Sequence, residues 1–262
     1  MKMKEEKYIY RFISFEKFVD MIQKQSLAFV HPCAYEDPYE TVPVSLRIQY
    51  KRNLLLFLFS QKIYTQSWTV SRNCDALWRL YSNNNFSVKL SVSKKDVESL
   101  GVHVLKVKYT DDLENVVKNM DDRDFLQLFA IKRTAFSFEN EIRLIDSRGC
   151  TDNIEERRKG AILYCDDKRR DQVIKDNLDC CSGEKIIKKV EKYIQSFDNV
   201  SKYKDVSFAG IDDFVRNVEV NPLAPDWFIG TVEHFCSKNG LKNAFVGKSP
   251  LYSRSQDTFW LK

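Results

Sequence analysis

Long apolar runs are absent from this 262-residue sequence. The longest, residues 54–59, is far too short to cross a bilayer, and no apolar signal-peptide segment follows the charged N-terminal residues. The 7 cysteines show no C-x-x-C spacing and there are only 3 histidines, so zinc ligation has no pattern to support it and reduced thiols are expected. We therefore expect a cytoplasmic protein with no membrane partner and no metal site.

Phosphate-binding signatures are also missing. Gly247-Lys248-Ser249 matches the end of a P-loop, but Lys242 stands where that motif requires a glycine. No G-x-G-x-x-G follows a predicted strand, which removes the usual argument for a doubly wound dinucleotide-binding fold. Prolines are absent between Pro43 and Pro222, so no linker marks a boundary and we predict a single domain over residues 1–262.

The composition is that of an ordinary globular protein with a small basic excess. Hydrophobic residues make up 43% of the chain and charged residues 30%, which predicts a packed core. The 42 basic and 37 acidic residues give a formal net charge of +5. This excess favours an anionic partner but falls short of the basic surface of a dedicated DNA-binding domain.

Hydrophobic periodicity predicts an α+β fold whose C-terminal part is more helical. Strands are predicted over residues 8–13, 27–30, 62–69, 86–92, 102–109, 161–165, 215–220 and 244–246. Helices are predicted over residues 15–25, 75–81, 94–100, 111–129, 184–197 and 225–238.

Residues 136–145 contain the least expected pattern in the chain. If this segment is a strand, alternation puts Glu139 and Glu141 side by side on one face, together with Arg143. Glutamate is a poor strand former and like charges on one face repel, so local propensity gives no reason for the pair. Function is one possible reason.

Two other strands carry polar residues of the same kind. Arg11 lies between Ile9 and Ile13 on one face of an aromatic, β-branched strand, where an arginine needs an anionic partner. The strand over residues 62–69 presents Ser67 and Thr69 on one face. Each of these features is weak evidence by itself, but together they are informative.

The chain resembles the ADP-ribosyltransferases of the Arg-Ser-Glu type in three segments that occur in the same order. They are Tyr10-Arg11-Phe12, Ser67-Trp68-Thr69 and Glu139-Asn140-Glu141. The chain is also similar to a broad bacterial family with Y-R, D-P-[FY]-E, S-W-T, W-x-x-Y and E-x-E-x-R segments. The matching segments here are Tyr10-Arg11, Asp37-Pro38-Tyr39-Glu40, Ser67-Trp68-Thr69, Trp78 with Tyr81, and Glu139 to Arg143. They lie within residues 8–146, and residues 147–262 would complete the same domain.

The resemblance implies a split β-sheet core and NAD as co-substrate. Cleavage of the bond between nicotinamide and ribose passes through a cation-like sugar centre, which a carboxylate stabilises. By resemblance that carboxylate is Glu141, and Glu139 orients or deprotonates the acceptor. Arg11 would hold a phosphate oxygen or ribose of NAD. Ser67 and Thr69 would brace the carboxylate and the ribose by hydrogen bonds, and Tyr81 would stack on the nicotinamide ring.

The resemblance leaves the acceptor and the mode of action open. Acceptors in the wider superfamily are arginine side chains or nucleobases, and we slightly favour nucleic acid, RNA or DNA, over protein. An intracellular toxin or phage-defence effector is expected, with an antitoxin protein as a further partner. One alternative is a metal-dependent nuclease using Glu139, Glu141 and Asp37. Another is a non-enzymatic nucleic-acid-binding module whose carboxylates only pair with Arg11 and Arg143.

Overall fold

The computed structural model describes residues 7–51, 60, 62–82, 84–148 and 201–253. Within them the predicted α+β class is confirmed, since a large mixed sheet is covered by several helices. The predicted strand at 161–165 and helix at 184–197 lie outside the described residues. No helix in the described ranges is long and apolar enough to cross a membrane.

The chain alternates short strands and helices. The strands are β1 (Tyr8–Ser14), β2 (Ser26–Val30), β3 (Tyr64–Thr69), β4 (Ser87–Ser93), β5 (His103–Lys106), β6 (Lys108–Tyr109), β7 (Ile131–Lys132), β8 (Glu141–Asp146), β9 (Tyr203–Ser207), β10 (Val215–Val220) and β11 (Phe245–Lys248). The helices are α1 (Phe15–Lys24), α2 (Val42–Lys51), α3 (Asp75–Leu80), α4 (Lys94–Glu98), α5 (Leu113–Asn119), α6 (Ile211–Phe214) and α7 (Asp226–Lys238).

The main sheet forks at β3. One edge of β3 pairs along its whole length with β8, which in turn pairs with β5. The other edge pairs with β2 only through Thr65 and Val30, and with β1 only through Thr69 and Tyr10. From there β2 leads to β9, while β1 leads to β4, β10 and β11. Strands β1 and β2 therefore diverge on either side of the middle of β3.

Strand alternation gives the two faces of β8 different surroundings. Ile142 and Leu144 pack into the main core, which also contains Trp68 and the apolar faces of α1 and α7. Ile145 belongs to a second cluster with Val117 of α5. Glu141 and Arg143 share the face of Ile145, so their side chains lie on the side of the sheet covered by α2 and α5.

Two predictions around this face are wrong. The expected strand over residues 136–145 begins only at Glu141, and Thr134–Glu139 is a 3-10 helix. The two are separated by Asn140, whose φ of 42° lies in the left-handed region that asparagine tolerates better than most residues. The expected helix over 111–129 is also interrupted, because Met120 is extended between α5 and a 3-10 segment at Asp122–Ala130.

Candidate active site

Glu139 and Glu141 meet at the ammonium group of Lys132. Lys132 Nζ lies 2.7 Å from Glu139 Oε2 and 3.3 Å from Glu141 Oε2. Each of these three side chains is less than one-tenth exposed. The two carboxylates are therefore brought together by the turn at Asn140 and by a shared cation, and not by strand alternation.

Arg143 supplies a second cation. Its Nε and Nη2 donate to Glu141 Oε1 at 2.8 and 2.6 Å. Its Nη1 donates to the Phe129 carbonyl at 3.0 Å and lies 2.6 Å from Glu40 Oε2, outside the hydrogen-bonding direction. Glu40 Oε1 also lies 3.7 Å from Lys132 Nζ. Three carboxylates therefore face two cations in what we call the carboxylate cluster, made of Glu40, Glu139, Glu141, Lys132 and Arg143.

The two predicted catalytic carboxyls differ in how readily they take up a proton. Burial raises the pKa of Glu139, Lys132 opposes this only in part, and the charges of Glu141 and Glu40 add to it. Burial also acts to raise the pKa of Glu141, but Arg143 and Lys132 outweigh it and the net shift is downward. Of these two carboxyls, Glu139 therefore takes up a proton more readily than Glu141.

Strand β3 places Ser67 and Thr69 beside the cluster. In the ladder with β8, Ser67 lies opposite Arg143 and Thr69 lies opposite Glu141. A hydrogen bond from the Ser67 side chain helps to lower the pKa of Glu141. Thr69 Oγ1 donates to the Glu139 carbonyl at 2.5 Å, so it holds the turn that carries this glutamate. A direct contact of either hydroxyl with a ribose stays a prediction.

Arg11 lies where β1 diverges from β3, one residue beyond the Tyr10–Thr69 pair. Its guanidinium carbon is 5.9 Å from the centre of the Trp68 ring, and burial lowers its pKa to about 10. Among the residues that the structure describes, its side chain has neither a carboxylate partner nor a hydrogen bond. The anionic partner expected for this arginine is thus not supplied by the described part of the chain.

Two tyrosines are near enough to interact with both Arg11 and the cluster. Tyr35 and Tyr81 each interact electrostatically with Arg11 on one side and with Glu141 on the other. Burial raises the pKa of Tyr81 to about 12, with a further contribution from Glu139. The Tyr35 hydroxyl is hydrogen-bonded to Thr65, and its ring lies 5.2 Å from the guanidinium carbon of Arg143. The side chain chosen from the sequence, Tyr81, is therefore near both groups, and Tyr35 accompanies it.

The chain was compared with protein-family models, curated proteins and solved structures, and none of them matched. Its function therefore has to be argued from the site itself.

A pocket of about 230 Å³ opens beside the cluster. We call it the Tyr39 pocket; its lining includes Asp37, Tyr39, Glu40, Thr110, Asp111, Lys132 and Arg133. Arg133 Nη2 lies 3.0 Å from Asp37 Oδ2, and its guanidinium carbon is 4.5 Å from the Tyr39 ring centre. The residues predicted to bind NAD do not line this pocket.

The described residues do not supply the ligands that a metal-dependent nuclease would need. No group of three His, Cys, Asp or Glu side chains there could hold an ion. The carboxylates named for a nuclease already have cationic neighbours, because Asp37 pairs with Arg133 and both Glu139 and Glu141 face Lys132. A metal would have to displace these contacts.

Sequence reasoning missed three members of the site. Glu40 ends the D-P-Y-E segment, which was matched as a family motif without a role for its glutamate, although a buried partner for Arg143 could have been sought there. Tyr35 precedes the same segment and carries no signal of its own. Lys132 follows a buried isoleucine on β7 and also has no local signal, because its partners are set by tertiary contacts.

Proposed function

We propose that this protein is an NAD-dependent ADP-ribosyltransferase, acting inside the cell as a toxin or defence effector. It transfers ADP-ribose from NAD to a macromolecule, with nucleic acid favoured over protein arginine. The observation that carries the proposal is a pair of opposite charge imbalances. Arg11 is a cation without a partner in the described chain, and the carboxylate cluster has one more anion than cations.

This charge pattern complements NAD, whose pyrophosphate is anionic and whose nicotinamide ring is cationic. Arg11 offers a planar, permanently charged fork to a phosphate oxygen. Glu141 stays ionised and supplies negative charge where the sugar becomes cation-like. Tyr81 and Tyr35, which interact electrostatically with both groups, provide aromatic surface for nicotinamide. The divergence of β1 from β2 supports a split-sheet core of the transferase type.

Glu139 is suited to deprotonating the acceptor. A general base works best when its pKa lies near the operating pH, and the pKa of Glu139 is shifted upward from that of an ordinary carboxyl. Glu141 has the opposite shift, which suits a fixed charge. Environments that separate the pKa values of two neighbouring carboxyls are typical of sites where one acts as base and the other as anion.

The proposal is tested with purified protein, labelled NAD and a cell extract, with and without nuclease. Glu141→Gln should lower transfer about 100- to 1000-fold, as removal of a charge-stabilising group does. Arg11→Lys should mainly raise the KM for NAD, about 10- to 100-fold, because the forked donor is lost. Glu233→Gln on the exposed face of α7 is the matched control and should leave the rate unchanged.

Circular dichroism and a melting curve must first show that each variant is folded. The proposal fails if wild-type protein labels no macromolecule and consumes no NAD, or if folded Glu141→Gln keeps full activity. Retained nucleic-acid binding without NAD consumption would instead favour the non-enzymatic binding module.

A further inference from the structure

The Tyr39 pocket shares two residues with the carboxylate cluster. Glu40 and Lys132 line the pocket, and Lys132 Nζ is also bonded to Glu139 at 2.7 Å. A group held in this pocket is therefore separated from the proposed base by one lysine head group. The pocket thus lies next to the carboxyl assigned to the acceptor, and neither Arg11 nor Ser67 lines it.

In one wall of the pocket, Arg133 lies over the Tyr39 ring; Phe136, its second aromatic neighbour, does not line the pocket. The Arg133 guanidinium carbon lies 4.5 Å from the Tyr39 ring centre and 5.4 Å from that of Phe136. Tyr39 is 52% exposed, so part of its surface is open to a ligand. Aromatic rings stacked with arginine form the kind of surface on which unpaired bases stack.

The pocket also presents hydrogen-bond acceptors beside this wall. Asp37 Oδ1 accepts the Tyr39 backbone N–H at 3.0 Å, and its other oxygen pairs with Arg133. Asp111 accepts hydrogen bonds from the backbone N–H and the hydroxyl of Thr134. A carboxylate oxygen has more than one lone pair, so both groups can also accept the amino or imino N–H of a base edge.

The contacts already made inside the pocket distinguish between the two classes of acceptor. Arg133 already occupies the place over the Tyr39 ring that an arginine acceptor would take. Two of the lining carboxylates already have a cation, since Asp37 pairs with Arg133 and Glu40 pairs with Arg143. Stacking on the open part of Tyr39 and hydrogen bonding to Asp37 and Asp111 are interactions that a neutral base makes. We propose that the Tyr39 pocket is the acceptor subsite and holds a nucleobase of single-stranded nucleic acid. The inference rests on the proposed transferase function.

The step at this subsite is a balanced substitution. An amino or imino N–H of the base gives up its proton, which passes through the Lys132 ammonium group to the Glu139 carboxylate, and the nitrogen forms a bond to the ribose carbon of NAD. The bond from that carbon to nicotinamide breaks, and nicotinamide leaves with both electrons as a neutral molecule. A base within a duplex has its edge paired and its faces stacked, so it reaches the pocket only when single-stranded or flipped out.

Binding is measured by fluorescence anisotropy with labelled 12-nucleotide RNA and DNA strands of mixed sequence, in the absence of NAD. Tyr39→Ala should weaken binding about 5- to 150-fold, the range for losing one stacked base, and Tyr39→Phe should restore it. Arg133→Lys should keep the salt dependence but lose affinity, because charge is retained without the planar stack. Tyr203→Ala removes another exposed aromatic, 63% exposed on β9, and should have no effect.

The same variants are then assayed for transfer to the strands and to an arginine-rich peptide. Loss of strand labelling in Tyr39→Ala, with NAD consumption retained, supports the subsite. Labelling of the peptide alone, equal competition by duplex, or unchanged strand binding in Tyr39→Ala overturns the inference while leaving the transferase function intact. If wild-type protein binds strands through Tyr39 but consumes no NAD, the transferase function fails, and with it the acceptor role of the pocket.

Discussion

Replacing Lys132 by methionine removes the cation that three buried carboxylates share. Its Nζ lies 2.7, 3.3 and 3.7 Å from Glu139, Glu141 and Glu40. Removing one partner of a buried ion pair costs about 3–5 kcal/mol, because the remaining charge stays buried. These carboxylates raise the pKa of Lys132 above the ordinary lysine value of 10.5. The stabilising contribution of the lysine charge is therefore fully present at both pH 5 and pH 8.

The loss in Lys132→Met should depend on pH because Glu139 can escape by taking up a proton. Without the lysine, the already raised pKa of Glu139 rises further. The pKa of this carboxyl is near 4.5 in the unfolded chain and higher in the folded variant. As the pH rises from the first of these values to the second, the free energy of unfolding of the variant falls by about 1.4 kcal/mol per pH unit. The variant should therefore be closer to wild type at pH 5 than at pH 8.

Urea unfolding followed by circular dichroism measures both quantities. The matched control is Lys108→Met, an exposed lysine on the strand that pairs with β7, whose loss should stay within about 0.5 kcal/mol. The reasoning is refuted if both variants lose the same stability, or if the loss in Lys132→Met is equal at pH 5 and pH 8.

Three further predictions concern stability. Asp146 is buried against Arg148 and Lys204, and these contacts lower its pKa to about 2. The ionised carboxylate therefore contributes about 2 kcal/mol to the free energy of unfolding, and this contribution is lost as the pH falls from 3.8 towards 2. Asp146→Asn should lose this amount in urea unfolding at pH 7 and less at pH 3. Asn140→Ala should lose about 1 kcal/mol in thermal unfolding, whereas Asn140→Gly should be nearly neutral, because φ is 42°. Lys89 and Glu219 form a buried ion pair, so Lys89→Met should lower the free energy of unfolding by about 3–5 kcal/mol. The double variant with Glu219→Leu should lose much less, because no charge is then left buried without a partner. Equal losses for the single and the double variant in a double-mutant cycle would contradict this.

Local sequence patterns were sufficient for the strands that carry the site. Alternating aromatic and β-branched residues predicted β1, and the S-W-T segment lies on β3 as expected. The pattern misled at 136–139, because Phe-Ser-Phe-Glu alternates like a strand but folds as a 3-10 helix. Asn140 was the available sign of a break, since asparagine is enriched where φ is positive.

The composition of the carboxylate cluster could not be read from local patterns. Glu40 and Lys132 are 92 positions apart in the sequence yet 3.7 Å apart in space, and neither belongs to a periodic motif. The structure also separates Glu139 from the strand while keeping it beside Glu141. Residue types at matched positions selected the two carboxyls, whose catalytic role stays a prediction, whereas the opposite shifts of their pKa values depend on neighbours that only the tertiary fold provides.

The fork at β3 determines how the two charged groups are connected. The sheet half with β2 and β9 and the half with β1, β4, β10 and β11 are each joined to β3 by a single residue pair, at opposite ends of that strand. Thr69, which makes the pair with β1, also lies opposite Glu141 in the ladder with β8. Thr69 is therefore the backbone link through which the sheet sets the position of Arg11 relative to Glu141.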